Sequence, residues 1–354
     1  VAAEKGAPKN VSSAALLAAF QKEHGESVGN FGGQMLDMTR LPTGIFKFDL
    51  ASGGGLPRGK CSIIFGPESS GKTNTVLKAI AMHQFLFPHL VCVFIAIEGF
   101  DKDWAALLGV DVAKLIVLYP SFAEEVVDMA ESFLHAADCG LVAIDSLAAM
   151  VTTQEGDSSA GKANVGGATL AIGKLVRKTS LALQEAAKSG RLATLLYVNQ
   201  TRYKIGIMFG DPETMPGGMA PRFQAAMIVR LYGKNIMDPK ISSTMPVIKK
   251  SSFIIRKWKV PIVAASGEYD MSMIHHKGLQ PGECDDFNAI VQYLKDFGQM
   301  EKAPKGGWMI LEEHYPTIDK FEYYLTTNPS YNVELRSAII ARVLEEGVVT
   351  KGGG

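Results

Sequence analysis

Between about residues 41 and 265 the apolar positions follow two alternating rhythms. Unbroken apolar runs at 61–65, 91–97, 141–144, 192–198, 226–231 and 253–255 read as strands buried on both faces, since no polar alternation marks a solvent side. The stretches 72–86, 122–136 and about 168–188 separate the first four runs and carry apolar residues at helical spacing. Strand–helix alternation of this kind predicts an α/β fold with a mainly parallel central sheet. The later runs follow without intervening helices, which predicts an antiparallel extension of that sheet.

The flanks read differently. Residues 1–11 are small and polar, and Ser12 to His24 then forms a short amphipathic pattern with Leu16, Leu17 and Phe20 on one face. The polar, glycine-containing stretch 25–34 separates this helix from the main body, so its apolar face needs a cover of its own or a neighbouring subunit. The string G-L-Q-P-G-E (278–283) reads as a linker. Beyond it, 287–297 and 333–345 read as helices around an aromatic group of Trp308, Tyr315, Phe321, Tyr323 and Tyr324. The expected organisation is an arm at 1–34, a core at 35–270 and a small α/β domain at 278–350.

Composition narrows the class. At 354 residues with 47% apolar and 20% charged, the chain has enough material for a substantial core, and no apolar run approaches the ~18 residues a membrane span requires. The first twenty residues lack the layout of a secretory signal. Cys61, Cys92, Cys139 and Cys284 form no C-x-x-C pair, which points to free thiols in a reducing cytoplasm rather than bridges or zinc. Formal net charge is zero, so any affinity for polyanions must be local.

The local chemistry is specific. Gly66-Pro67-Glu68-Ser69-Ser70-Gly71-Lys72-Thr73 spells G-x-x-x-x-G-K-T between an apolar run and a helix-period stretch. Glycines allow successive backbone N–H groups to turn onto phosphate oxygens at a helix N-terminus. Lys72 supplies a cation for the β- and γ-phosphates, and the Thr73 hydroxyl can reach Mg²⁺. Asp145 ends the run 141–144, where a carboxylate holds Mg²⁺ or caps a helix. Glu98 follows the run 91–97 and is either a general base that aligns water or an ordinary strand-end acid. Gln200 closes a third strand, as a γ-phosphate sensor or as an amide satisfying backbone groups.

From Arg202 to Phe223 the chain holds seven Gly or Pro residues and no clean periodicity. A connection this long in a packed domain has a task. Arg202 and Lys204 bring charge, glycines bring approachable N–H groups, and Tyr203, Ile205, Met208 and Phe209 can touch bases. That suits a single nucleic-acid strand held by its backbone; an active-site lid is the alternative.

These residues together resemble the RecA family of DNA strand-exchange ATPases. The resemblance is carried by G-P-E-S-S-G-K-T (66–73), A-I-D-S-L-A-A-M (143–150) and N-Q-T-R-Y-K-I-G-I-M-F-G-D-P-E-T-M-P-G-G (199–218), with weaker similarity over nearly the whole chain. It implies a RecA-like P-loop NTPase core with an N-terminal helical arm and a small α/β C-terminal domain. Glu98 is then the catalytic carboxylate, Gln200 the γ-phosphate sensor, and ATP with Mg²⁺ the cofactor, bound through 66–73 and Asn74. Asp101 and Trp104 fall where the family contacts adenine. The segments 156–167 and 202–218 match the two DNA-binding loops, with Val165, Gly166, Arg177, Gly206, Gly217 and Gly218 among the DNA contacts. Lys257 and Lys259 match a pair that reaches the γ-phosphate of the adjacent subunit. Phe223 and the helix bearing Leu16, Leu17 and Phe20 match subunit contacts.

Some positions depart from the bacterial pattern. Gly99-Phe100 leads to Trp104 by a shorter path, Met215-Pro216 replaces small hydroxyl residues, and Val165 stands where methionine is common. They mark a divergent branch, a phage-encoded member being one reading, located in the cytoplasm of a bacterial or phage-infected cell. The expected function is an ATP-dependent recombinase that forms helical filaments on single-stranded DNA and pairs it with homologous double-stranded DNA, without a membrane partner. A ring-forming motor on the same core and a P-loop phosphotransferase are the alternatives.

Overall fold

The computed structural model describes residues 12–24, 39–157, 166–203, 213–242 and 244–346. Among them, an eight-stranded sheet runs in the order Ser266–Ser272, Ile248–Trp258, Met227–Ile236, Cys61–Gly66, Thr194–Gln200, Cys139–Asp145, Val91–Ala96, Leu115–Leu118. The pairings from Met227–Ile236 through Leu115–Leu118 are parallel, and Ile248–Trp258 and Ser266–Ser272, the last two strands of this sheet, add antiparallel. The expected α/β sheet with an antiparallel extension is what forms.

Alternate residues of the central strands feed two apolar layers. Ile64, Phe94, Leu141, Leu196 and Val198 pack with Val76 and Ile80 of the helix Lys72–Leu86. Ile63, Phe65, Val93, Val142, Leu195 and Tyr197 pack with the helices Ala123–His135 and Gly167–Lys188. Both faces are covered, which explains strands without polar alternation. The sequence pattern misses Leu115–Leu118, whose exposed Ile116 makes it an ordinary edge strand. It also stops the run at 253–255 short, because Lys249, Lys250 and Arg256 interrupt a strand that spans Ile248–Trp258.

A third apolar cluster joins the helices Phe287–Asp296, Ile318–Thr327 and Pro329–Glu346 to a small antiparallel sheet of Met300–Lys302, Trp308–Ile310 and Glu313–Tyr315. Phe46 and Leu50, from the helix Phe46–Ser52 near the start of the core, also belong to it. The Asp286 carboxylate accepts from the Phe46 N–H at 3.0 Å and from Arg336 at 3.1 Å, tying the two parts together. The segment 278–283 is not a loose linker. Gly282 N–H donates to the Ser272 carbonyl at 2.7 Å and Ser272 N–H donates to that of Glu283 at 2.8 Å, so the turn folds back on the sheet. Tyr323, grouped with the other aromatics by sequence, is 66% exposed, since helical spacing turns it away from Phe321 and Leu325.

Candidate functional site

The loop Gly66–Thr73 connects its strand to the helix Lys72–Leu86. Gly66 must be glycine for a steric reason: a Cβ there would lie 2.4 Å from the Leu231 carbonyl oxygen and 2.6 Å from Ser70 Oγ. Gly71 caps the helix in left-handed backbone, φ 93°. Lys72 Nζ lies across the loop and donates to the Pro67 carbonyl at 2.8 Å. Burial holds its pKa below the ordinary lysine value, opposed by the carboxylates of Asp145, Glu98 and Glu68.

Parallel strands deliver the carboxylates to this loop. The Thr73 hydroxyl donates to Asp145 Oδ2 at 2.6 Å. Asp145 is buried, and that burial raises its pKa; Thr73 and Lys72 work against the rise, while Glu98 adds to it. A hydroxyl and a carboxylate side by side are hard oxygen donors, the kind Mg²⁺ selects, so the pair fits that ion. Glu98 Oε1 accepts from the Ser146 hydroxyl and from Gln200 Nε2, the latter at 3.0 Å. Lys72, Thr73, Asp145, Glu98 and Gln200 thus converge at one sheet edge.

The adenine-side candidates stand beside the same helix. Asp101 caps the helix Lys102–Leu107 by accepting from the N–H groups of Asp103 and Trp104. Trp104 is half-buried against the apolar core, and its Nε1 donates to Asn74 Oδ1 at 3.0 Å.

From Gln200 the chain enters the long loop. Thr201 N–H donates to the Gly66 carbonyl at 3.1 Å, and Asn199, fully buried, donates from Nδ2 to the Pro216 carbonyl at 3.0 Å. A two-strand ribbon closes the loop at its base, with Arg202 opposite Thr214 and Tyr203 opposite Glu213. Lys204, Ile205, Gly206, Met208 and Phe209 lie outside the described residues, as does Val165. Gly217 and Gly218 follow in left-handed backbone, φ 95° and 66°, and a Cβ on Gly217 would lie 2.7 Å from Ile172. Gly166 caps the helix Gly167–Lys188, on which Arg177 and Lys174 share an exposed face one turn apart.

The remaining candidates sit elsewhere. Lys257 donates to the carbonyls of Arg222 and Phe223, and Lys259 Nζ to that of Phe223 at 3.1 Å. In register, Lys257 faces Ile228, which faces Ile63 near the start of the phosphate-loop strand. The pair therefore lies at the opposite end of the sheet from its own loop. Phe223 is 68% exposed. Leu16 and Phe20 are exposed on the helix Ser13–His24, and Leu17 is half-buried.

Three participants escaped sequence reasoning. Ser146 shares Glu98. Arg230, 2% exposed and opposite Phe65, grips Glu213 at the base of the ribbon through two hydrogen bonds, with Nε to Oε2 at 2.6 Å. Burial opposes its charge, but Glu213 more than offsets that and raises its pKa. Lys249 reaches the phosphate loop itself. An arginine inside the apolar run M-I-V-R-L was a visible signal; nothing in the sequence distinguished Ser146 or Lys249.

A phosphate loop at the tip of a parallel strand, with Asp145 ending one strand of the same sheet and Glu98 just beyond its neighbour, defines a P-loop nucleoside triphosphatase. Residues 11–280 match the family described as the RecA N-terminal domain. The chain is 31% identical over 353 residues to Protein RecA of Cutibacterium acnes, covering 98% of this chain and 96% of that one. To Protein RecA of Thermus aquaticus it is 32% identical over 333 residues, covering 92% of each. A crystal structure of the RadB recombinase aligns with TM-score 0.48 and 16% identity over 69% of this chain and all of that one, too loosely to add weight. The chain belongs to the RecA family. It is a RecA-type recombination protein and a DNA-dependent ATPase that uses ATP with Mg²⁺. Among the described residues, no helix is long and apolar enough to cross a membrane.

Proposed function

We propose that this chain polymerises head to tail on single-stranded DNA, pairs it with a homologous duplex and exchanges strands, with ATP turnover resetting its grip. The carrying observation is the Glu98–Gln200 hydrogen bond: the carboxylate beside the phosphate loop is held by the residue from which the long loop departs. Lys72, the loop amides and Asn74 hold the nucleotide, Asp101 and Trp104 flank its base, and Thr73 with Asp145 hold the metal, which neutralises phosphate charge when bound. Glu98 orients and deprotonates the attacking water. Gln200 exchanges Glu98 for the γ-phosphate, and the displacement of its strand end alters the ribbon at 202–203 and 213–214. Arg202, Tyr203, Gly217, Gly218, Gly166 and Arg177 serve as DNA contacts, and Val165, Lys204, Ile205, Gly206, Met208 and Phe209 take the same role.

Lys257 and Lys259 stand about 13 Å along the strand direction from their own loop, taking four residues at ~3.3 Å each. They serve the phosphate of the next chain, and contacts repeated without closure build a helical filament. The organisation is an arm at 1–34 that covers its apolar face on a neighbour through Leu16, Leu17 and Phe20, a core at 35–270 and a small domain at 278–350. Phe223 joins the same interface. The cellular setting is the cytoplasm of a bacterium or a phage-infected cell.

The test is strand exchange between a circular single strand and a homologous linear duplex, with DNA affinity measured alongside. Joint molecules with ATP, none with ADP, and tighter single-strand binding with a non-hydrolysable ATP analogue are expected. Closed rings in electron micrographs and no exchange would transfer the chain to the motor class.

A further inference from the structure

The phosphate loop is gripped from behind by a lysine that the G-x-x-x-x-G-K-T pattern does not call for. Lys249 lies near the start of the strand Ile248–Trp258, is 7% exposed, and donates from Nζ to the Ser69 carbonyl at 2.7 Å. Its stem runs under the loop, close enough that a Cβ on Gly71 would lie 3.6 Å from Lys249 Cδ. The strand between them makes room: at Gly233 a Cβ would lie 2.7 Å from Ser70 Cα and 2.9 Å from the Ser69 oxygen.

That oxygen therefore faces the sheet. A trans peptide unit is planar, with C=O and the following N–H pointing in opposite directions. A grip on the Ser69 carbonyl accordingly turns the Ser70 N–H away from the sheet. Ser69 itself holds left-handed backbone, φ 57°, which L side chains disfavour and which needs an external tie.

The charge has its own consequence. Among the described residues no carboxylate pairs with Lys249, and its ammonium is buried near that of Lys72. Burial first, and Lys72 second, hold its pKa below the ordinary lysine value. Two cations crowded at one loop are unfavourable until an anion arrives between the loop's amides.

We propose that Lys249 is a positioning residue for the nucleotide's phosphates: it sets the Ser69–Ser70 peptide with its amide toward the phosphate and adds a second positive charge behind the loop. A purely mechanical strut under the sheet is the competing account. The inference rests on 66–73 being the phosphate cradle, and the control below separates the two.

Full-length K249M, which keeps the stem and removes charge and donor, is titrated with ADP and with a non-hydrolysable ATP analogue by calorimetry. The melting temperature of the nucleotide-free protein is recorded in parallel. Both nucleotides should bind about tenfold more weakly, the scale of one charge-assisted hydrogen bond, with the nucleotide-free melting temperature within about 2 °C of the parent. K249R, which keeps the charge and the donors, should return affinity to within about threefold of the parent. K249Q is measured beside K249M with the same expectation, in case methionine disturbs folding. Affinity unchanged within about twofold in the uncharged variants overturns the proposal. A loss of affinity matched by equal loss of nucleotide-free stability, unrescued by arginine, also overturns it in favour of the strut. Lys72→Ala is the control: parent-like nucleotide binding there means the cradle is misassigned, whereas loss in K72A without loss in K249M sinks this inference alone.

Discussion

Gln200 Nε2 donates to Glu98 Oε1 across 3.0 Å, so one hydrogen bond joins the catalytic candidate to the end of the strand from which the long loop departs. The same Glu98 oxygen also accepts from the Ser146 hydroxyl, next to Asp145. Any group that draws Gln200 away must break this bond. In the proposed sensor role a terminal phosphate is such a group, and its departure would restore the bond.

Two substitutions divide the roles. Glu98→Gln should lower hydrolysis by about 10²–10⁴-fold, the range for a positioned base, while DNA stays tightly held with ATP. Gln200→Ala should instead erase the difference in single-strand affinity between ATP and ADP states. Steady-state ATPase rates and fluorescence anisotropy with a labelled oligonucleotide distinguish these outcomes. Normal hydrolysis by the Glu98 variant would move the base elsewhere.

The far side of the ribbon is fixed by Arg230 and Glu213, a nearly buried bidentate pair with Arg256 3.8 Å from the same carboxylate. Breaking a buried pair by removing one partner costs about 3–5 kcal/mol, because the other charge stays desolvated. Glu213→Gln should therefore lower the thermal midpoint by several degrees and weaken DNA binding. Replacing both, as in R230M with E213L, should recover much of the stability and little of the DNA response. Denaturant titration with anisotropy on both variants checks this.

Lys257 and Lys259 act on a second chain if their place at the opposite sheet end means what we propose. Neither Lys72→Ala nor the double variant K257A/K259A should hydrolyse ATP alone. Mixed in equal amounts before DNA is added, about a quarter of interfaces pair an intact loop with intact lysines, on random head-to-tail assembly. Activity near that fraction of the parent is expected. None on mixing would place the lysines outside the reaction.

Stability should also show one identifiable acid-sensitive group. His83 is fully buried, 3.2 Å from Cys92 Sγ, and burial above all, with Arg58 and His89, pushes its pKa from 6.5 down to about 4. Between those values the unfolded state binds the proton and the folded state does not, so stability falls as pH drops from 6.5 toward 4. The loss is at most about 3 kcal/mol, at 1.36 kcal/mol per pH unit. His83→Gln should flatten that limb of the stability curve in urea titrations; an unchanged slope assigns the acid sensitivity to other groups.

Much of the geometry of the candidate site was legible in the sequence. The phosphate loop is contiguous in sequence, and its chemistry depends on local backbone, so Gly66 to Thr73 could be read as spelled. Asp145, Glu98 and Gln200 were legible because each ends an apolar run, and parallel strands must place their C-terminal ends at one edge. The linker at 278–283 was misread because its glycines and proline mark a turn but do not say whether the turn pairs with a strand.

Local pattern and contiguous motif thus determined the α/β class, the nucleotide loop and the acids behind it, since each depends on neighbours within a few residues or on a strand's end. Only the tertiary structure decided the rest. Arg230 meets Glu213 and Lys249 meets Ser69 through sheet order and register, and Asp286 meets Phe46 where the C-terminal cluster packs on the helix Phe46–Ser52. Those pairings bring together residues 17, 180 and 240 positions apart, and no local periodicity encodes such distances.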